Sequence, residues 1–357
     1  MKYVLALFML CPLAGKAQTD TIGSSIQFSG YAEVYYAYDF NQPEDHNRPS
    51  FLYSHDRHNE FNLNLGFVKV AYQNERVRAN LAFAAGTYMN ANYATEPGVL
   101  KNLYEAYAGI KISQKNNIWI DAGVFTSHIG FESAISKDCY TLTRSMSAEN
   151  SPYYESGLKL TFISDDNKWL LSGLVLNGWQ HIQRPDGNNT PSFGTQITFK
   201  PVDKITLNYS TFFGNDKPDD VKQMRIYHNV YGHFMLSDKF HFMAGFDIGF
   251  EQASTDSDQY YQWYSPVLMA KYFLDEKWSI TGRGEFYSDP NEVIIITSTE
   301  NGFQTSGFSF GIDYRILDNA VWMIEGRKLS SKDDIFLKEK ETINSNICLT
   351  TSLAVSF

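Results

Sequence analysis

The chain lacks any apolar run near the roughly 20 residues that a membrane-spanning helix requires, and no segment sustains a 3.6-residue apolar period. These two absences exclude helical membrane proteins and enzymes built on amphipathic helices. Cysteine is scarce, with three in 357 residues. Cys11 lies in an N-terminal apolar run; Cys139 and Cys348 are too few for a disulfide scaffold and show no metal-ligand spacing. Basic residues are outnumbered, 30 Lys and Arg against 40 Asp and Glu, and the net charge of -10 argues against a nucleic-acid partner. Nothing in the pattern calls for a cofactor.

What is abundant is aromatic: 23 Tyr and 26 Phe. They fall in a period of two, which is the side-chain period of a strand. The last strand is the clearest case. Ile347, Leu349, Leu353, Val355 and Phe357 share one face, and Cys348, Thr350, Ser352, Ala354 and Ser356 share the other. A final strand of this kind, ending on an aromatic residue, resembles the C-terminal signal of bacterial outer-membrane barrels. That resemblance makes Phe357 the expected assembly signal, read by the outer-membrane assembly machinery.

The first residues agree. Lys2, the apolar run 3–13 and Gly15-Lys16-Ala17 read as a secretory signal peptide over 1–17, cut after Ala17. Cys11 invites a lipoprotein reading, but Leu10 is bulky where a lipobox requires a small residue. Residues 18–25 form a short periplasmic segment too small for a plug domain, and 26–357 a single domain.

The alternation recurs in segments 26–40, 61–72, 77–85, 104–112, 118–124, 158–162, 169–176, 193–199, 205–213, 226–236, 240–250, 264–272, 278–286, 308–316, 321–326 and 343–357. A phase change near Phe67 and Val68 predicts a β-bulge. Connections alternate between short turns rich in Asp, Asn and Lys and long loops, the longest over 126–153. The expected fold is all-β: a transmembrane antiparallel up-and-down barrel of about sixteen strands, closed by pairing 343–357 with 26–40. A soluble sandwich would not need an aromatic-rich outer stripe on every strand. Lipid is therefore an expected partner. The lipid face is apolar whether or not it meets a neighbour, so a homotrimer stays open.

About sixteen strands leave an aqueous channel. The face opposite the greasy stripe carries charges of both signs: Arg78, Lys111, Arg225, Arg283, Arg315 and Arg327 against Glu105, Asp121, Asp247, Glu285, Asp313 and Glu325. Such a mixed lining suits passive diffusion of small hydrophilic solutes with modest ion selectivity. Glu285 with Arg283, and Glu325 with Arg327, read as wall pairs. Loop 126–153 is rich in small and hydroxyl residues, and is the candidate for an infolded constriction. Glu132, Asp138 and Arg144 are its charges best able to meet a solute. If it folds inward, Cys139 could reach lumen-facing Cys348. His46, His55 and His58 sit with Glu44, Asp45 and Asp56 in the first long loop, as a loose metal site or a solvated outer loop.

A family resemblance follows from Asp121-Ala122-Gly123-Val124-Phe125 with Ile129-Gly130-Phe131-Glu132, Arg144-Ser145, Pro152-Tyr153-Tyr154-Glu155-Ser156-Gly157 and Asn177-Gly178-Trp179. Arg283-Gly284-Glu285-Phe286-Tyr287-Ser288-Asp289-Pro290 and Glu325-Gly326-Arg327 continue it in order. The chain resembles the OmpL-like β-barrel porins of Bacteroidetes over essentially its whole mature length. Gly326 departs from the pattern, as does Glu155-Ser156. The resemblance implies passive transport across the outer membrane and names no solute. Two rival readings remain. One is a non-conducting structural or adhesion barrel. The other is a barrel hydrolase, for which His233 and His241 have no serine nucleophile motif beside them.

Overall fold

The computed structural model describes residues 25–357. The signal peptide over 1–17 and the segment that follows it to residue 24 lie outside the described residues. Fifteen strands run in order from the N-terminus: β1 Ser25–Asp39, β2 Phe61–Gln73, β3 Val77–Ala85, β4 Leu103–Lys111, β5 Asn117–Thr126, β6 Tyr154–Ile163, β7 Trp169–Leu176 and β8 Ser192–Val202. They continue as β9 Ile205–Asn215, β10 Met224–Met235, β11 Phe240–Gln252, β12 Tyr260–Phe273, β13 Trp278–Asp289, β14 Phe303–Leu317 and β15 Ala320–Ser331. A small hairpin, β16 Phe336–Lys338 and β17 Glu341–Ile343, precedes the final strand β18 Ser345–Ser356.

Sixteen of these strands, all but the hairpin, pair with their neighbours into one closed barrel. The ring closes where expected: β1 runs antiparallel to β18 from Tyr31 opposite Ser356 to Asp39 opposite Cys348. Closure leaves no row of unpaired N–H and C=O groups, the condition for a sheet to sit in lipid. At the seam, Gly30 and Phe357 exchange backbone hydrogen bonds of 2.7 and 3.0 Å. A Cβ on Gly30 would come within 2.4 Å of the Phe357 ring, so the ring needs a glycine beneath it. Phe357 faces outward at the same end as the short turns.

The greasy stripe lies outside. Phe28, Val68, Leu81, Leu158, Leu268, Phe308 and Leu349 are all exposed on the outer surface, a continuous apolar band that lipid covers. Aromatic pairs flank its turn end: Trp169 stacks on Phe199 at 4.1 Å and Trp278 meets Tyr314 at 4.5 Å. The seven tight turns lie at one end, with the long loops at the other.

Three details differ from the expectation. The bulge in β2 lies at Asn64, because Glu33 pairs with Leu65 while Val34 pairs with Leu63. It therefore precedes the apolar phase change, and it turns Leu65 and Phe67 inward. The long loops also carry short helices, α1 Thr87–Asn92 and α2 Met146–Glu149, where no helix was expected. Most importantly, the loop half of the interior is packed. Tyr88 and Met89 of α1, with Tyr93 just after it, join inward Tyr31, Leu65, Tyr104 and Tyr154 in one apolar cluster. Phe51, Leu52, Ile129 and Met146 from two loops join Leu176, Phe212, Tyr227, Trp263 and Tyr287 in another.

Candidate pore constriction

The third long loop, residues 127–153, crosses the barrel interior. It is held first at its root: His128 meets the Glu155 carboxylate through Nδ1 at 2.8 Å and the Thr211 carbonyl through Nε2 at 2.8 Å. Burial alone would depress the His128 pKa, but the Glu155 charge outweighs it and holds the imidazole above its ordinary value. The ring lies over Gly194 of β8, where a Cβ would stand 2.6 Å from Nε2. Phe131 lies over Gly245 of β11 in the same way, at 2.4 Å from a built Cβ. Glycine inside a strand marks such close approach. Tyr140 then reaches far toward the turn end and hydrogen-bonds His233 of β10.

The return limb, 141–149, is almost wholly buried. Its donors are received by wall carboxylates on three strands, and Ser136 of the outgoing limb reaches a fourth. Glu325 accepts from the Thr143 N–H at 2.7 Å and its hydroxyl at 2.6 Å. Glu285 accepts from the Met146 N–H, the first residue of α2, at 2.6 Å. Asp247 accepts from the Ser147 hydroxyl. Glu33 accepts from Ser136 at 2.7 Å and from Asn64 at 2.9 Å, and faces His55 at 3.0 Å. Arg283 binds the Thr141 hydroxyl at 2.8 Å and the Thr143 carbonyl at 2.5 Å. Buried ionic groups are tolerated only when paired and hydrogen-bonded, and here the loop supplies the partners. Its wealth of Ser and Thr has that physical reason.

The lining residues therefore divide by depth. In the turn half, Arg78 lies along Asp121 at 2.6 and 2.5 Å and over the Trp119 ring at 4.4 Å. Lys69 meets Glu105 at 2.7 Å, and Lys271 meets Asp313 at 2.7 Å. These cations remain partly in solvent. Lys111 and Arg315 lie at the turn-end mouth and make no ion pair among the described residues. In the loop half, Arg225 holds Glu251 at 2.6 Å and Asp216 at 3.1 Å, while Arg283, Glu285, Glu325 and Arg327 form one buried network. The wall pairs differ from expectation: Glu285 takes both Arg283 and Arg327, whereas Glu325 takes Arg283. Period-two reading locates a face, not the partner across it.

The three loop charges have separate fates. Arg144 is fully buried, held by the Ser133 and Leu142 carbonyls and the Ser136 hydroxyl. It braces the loop and cannot meet a solute in this conformation. Glu132 accepts from the Ser145 N–H at 3.0 Å and from its hydroxyl. Burial pushes its carboxyl above the ordinary range. Asp138 is exposed and meets Lys137 at 3.0 Å. The proposed disulfide is absent: Cys139 and Cys348 are both buried free thiols. Cys139 points at the Ser133 carbonyl, and burial holds its pKa at about 11. The histidines of the first loop belong, among the described residues, to no group able to hold a metal, and only His46 is exposed as a solvated loop requires. His55 and His58 are buried braces, His58 Nδ1 accepting from the Asp39 N–H at 2.8 Å. Both were missed as structural residues because their partners lie on other strands.

Aqueous cavities lie on both sides of this crossing. One of about 330 Å³ opens at the turn end beside Lys271, Asp313 and Arg315. One of about 500 Å³ lies at the loop-end mouth beside Arg48 and Asp39. Residues 25–357 match the family described as putative beta-barrel porin-2, OmpL-like. The chain belongs to this family. It is thus an outer-membrane β-barrel porin, its short turns on the periplasmic side and its long loops outside. No match was found among curated proteins. Solved structures share the fold at low identity. An anion-selective porin from Comamonas acidovorans aligns at TM-score 0.62 and 6% identity, covering 94% of this chain and 100% of that one. The outer membrane channel DcaP of Acinetobacter baumannii aligns at 0.59 and 9%, covering 94% and 98%. Salmonella typhi OmpF aligns at 0.58 and 10%, covering 94% and 98%.

Proposed function

We propose that the porin passes small hydrophilic solutes by passive diffusion, and that loop 127–153 sets the narrowest part of the path. The observation that carries this reading is the tie between the loop and the wall: Thr143 to Glu325, Met146 to Glu285 and Ser147 to Asp247 hold the loop across the lumen. A cavity at the turn end reaches the loop at Lys137, and a second opens at the loop-end mouth. Partly exposed cations below the loop, each paired with a buried carboxylate, favour weak ion selectivity. Export by a signal peptide over 1–17 and a Bacteroidetes origin belong to the same proposal. So does recognition of Phe357 by the assembly machinery.

Reconstitution into planar bilayers tests it. Discrete conductance steps from protein whose folding is confirmed by heat-modifiable gel mobility are the expected result. The complete burial of 141–149 favours a second reading, a structural barrel with no conducting path. Folded protein that gives no steps under any voltage would establish that reading and remove the first. A hydrolase gains nothing from the two buried His–carboxylate pairs: Nε2 of His128 meets the Thr211 carbonyl where a nucleophile would have to stand, and His55 faces Glu33 through Nε2 while its Nδ1 is buried with no partner. A homotrimer is also proposed, since a Vibrio cholerae OmpT of the same fold was solved in a trimer form. Cross-linking that yields only monomer from folded protein would remove that part.

A further inference from the structure

The loop-end cavity of about 500 Å³ has a feature the diffusion path does not require. Arg48, from the first long loop, lines it and is buried. Its Nη1 donates to the His55 carbonyl at 3.2 Å, but Nε and Nη2 have no partner. These two nitrogens form one edge of the guanidinium, the edge that forks onto a carboxylate with two parallel hydrogen bonds. The nearest wall carboxylate does not close on it: Asp39 is taken by Asn346 at 2.8 Å on both oxygens and by the Asn41 N–H at 2.9 Å. Nε and Nη2 are both shut off from solvent in this conformation, a costly arrangement for a cation that a turn of the Arg48 side chain into the cavity would relieve.

The same cavity carries Asp45 and Asp56. A simple anion would meet repulsion from these carboxylates, whereas a molecule with a cationic group beyond its carboxylate would satisfy both signs. Leu52 and Leu337 supply apolar surface to the same space, and its volume lies in the range of small-molecule sites. We propose that this vestibule binds zwitterionic solutes, free amino acids and short peptides with free termini, with the carboxylate on Arg48 and the ammonium toward Asp45 and Asp56. The assignment rests on the porin reading for its purpose, as the solute class offered to the channel from outside.

Calorimetry on detergent-folded protein tests binding without asking for conduction. The probes are the dipeptide Ala-Leu, its C-terminal amide, its N-acetyl form and the doubly capped form. Ala-Leu should bind, and each single capping should weaken it about tenfold, the loss of one charge-assisted contact. Arg48→Gln should weaken Ala-Leu about tenfold and bind the amide no worse than wild type does. The double variant Asp45→Asn with Asp56→Asn should erase the preference for a free amine. Equal binding of all four probes, or undiminished Ala-Leu binding by Arg48→Gln, overturns the proposal. Tight binding of the N-acetyl form equal to that of Ala-Leu also overturns it, in favour of a plain carboxylate site. Should Arg48→Gln fail to fold, the four-probe series on wild type decides alone. Absent conductance with intact binding would count against the channel, not against the site.

Discussion

Arg78 and Arg283 both stand on inward faces beside carboxylates, yet they do different work. Arg78, in the turn half, lies along Asp121 with a quarter of its side chain in solvent, while Arg283, in the loop half, has none. Arg78 touches only its own wall, meeting Asp121 and Trp119. Arg283 reaches the opposite partner, the loop, through Thr141 and Thr143. The lesson is that a lumen charge can serve either water or a plug, and depth along the strand decides which. Near the turns the loop touches the wall at Tyr140 and His233 but leaves Lys69, Arg78 and Lys271 partly in solvent, where they can bias passing ions. Near the loops, 127–153 takes the hydrogen bonds that water would have made.

The sharpest break in that comparison is to remove the plug. Deleting 133–147 should raise single-channel conductance several-fold, because it strips the partners from Glu33, Glu285, Glu325 and Asp247 and lets water into the loop half. Unchanged conductance in a folded variant would place the narrowest point elsewhere. Next in size is the contrast between the two arginines. Arg283→Gln leaves Glu325 and part of Glu285 uncompensated in a buried site, a cost of about 3–5 kcal/mol by urea unfolding. Arg78→Gln takes a quarter-exposed cation from the buried Asp121 carboxylate, so it should cost less, about 1–3 kcal/mol. Its effect should appear as a shift in reversal potential toward cations. Equal stability losses would erase the distinction between the halves.

A pH series sharpens the comparison at the loop root. His128 is held above its ordinary value by Glu155. A group raised on folding contributes stability that is complete below its unfolded pKa, about 6.5, and lost as pH rises through the folded value. Thermal stability should therefore fall on the alkaline side of that window, and His128→Gln should flatten the dependence. The same slope in the variant would assign the pH effect to another group.

Much of the frame was legible from period two alone. The ring closure of β1 on β18, the outward faces and the alternation of tight turns with long loops follow from side-chain alternation and turn residues. The plug was legible only in part. Hydroxyl-rich composition pointed loop 127–153 inward, but Thr143 and Glu325 are 182 positions apart, and no local period encodes such a contact. Inward Tyr227, Trp263 and Tyr287 escaped notice because their strands are apolar on both faces there. Gly194 and Gly245 were the available signals, since an inward glycine in a strand marks a place where something approaches closely. Arg144 misled for a plain reason: charge in a loop suggests solvent, and here the loop folds around it.

The smallest expected effect concerns Glu132, the one charge of the plug whose environment works against it. One oxygen accepts from Ser145, while Oε1 is buried with no partner. Burial raises its carboxyl above the ordinary range, so the neutral form is the better folded form. Wild type should thus lose stability as pH rises from about 4.3 through the raised folded value. Glu132→Gln keeps an acceptor for Ser145 and cannot ionise, so it should lack that loss. The variant should gain on wild type between acid and neutral pH, read as the difference of two unfolding series. A parallel pair of curves would mean that water or a cation reaches Oε1, and that the plug is wetter at Glu132 than its burial indicates.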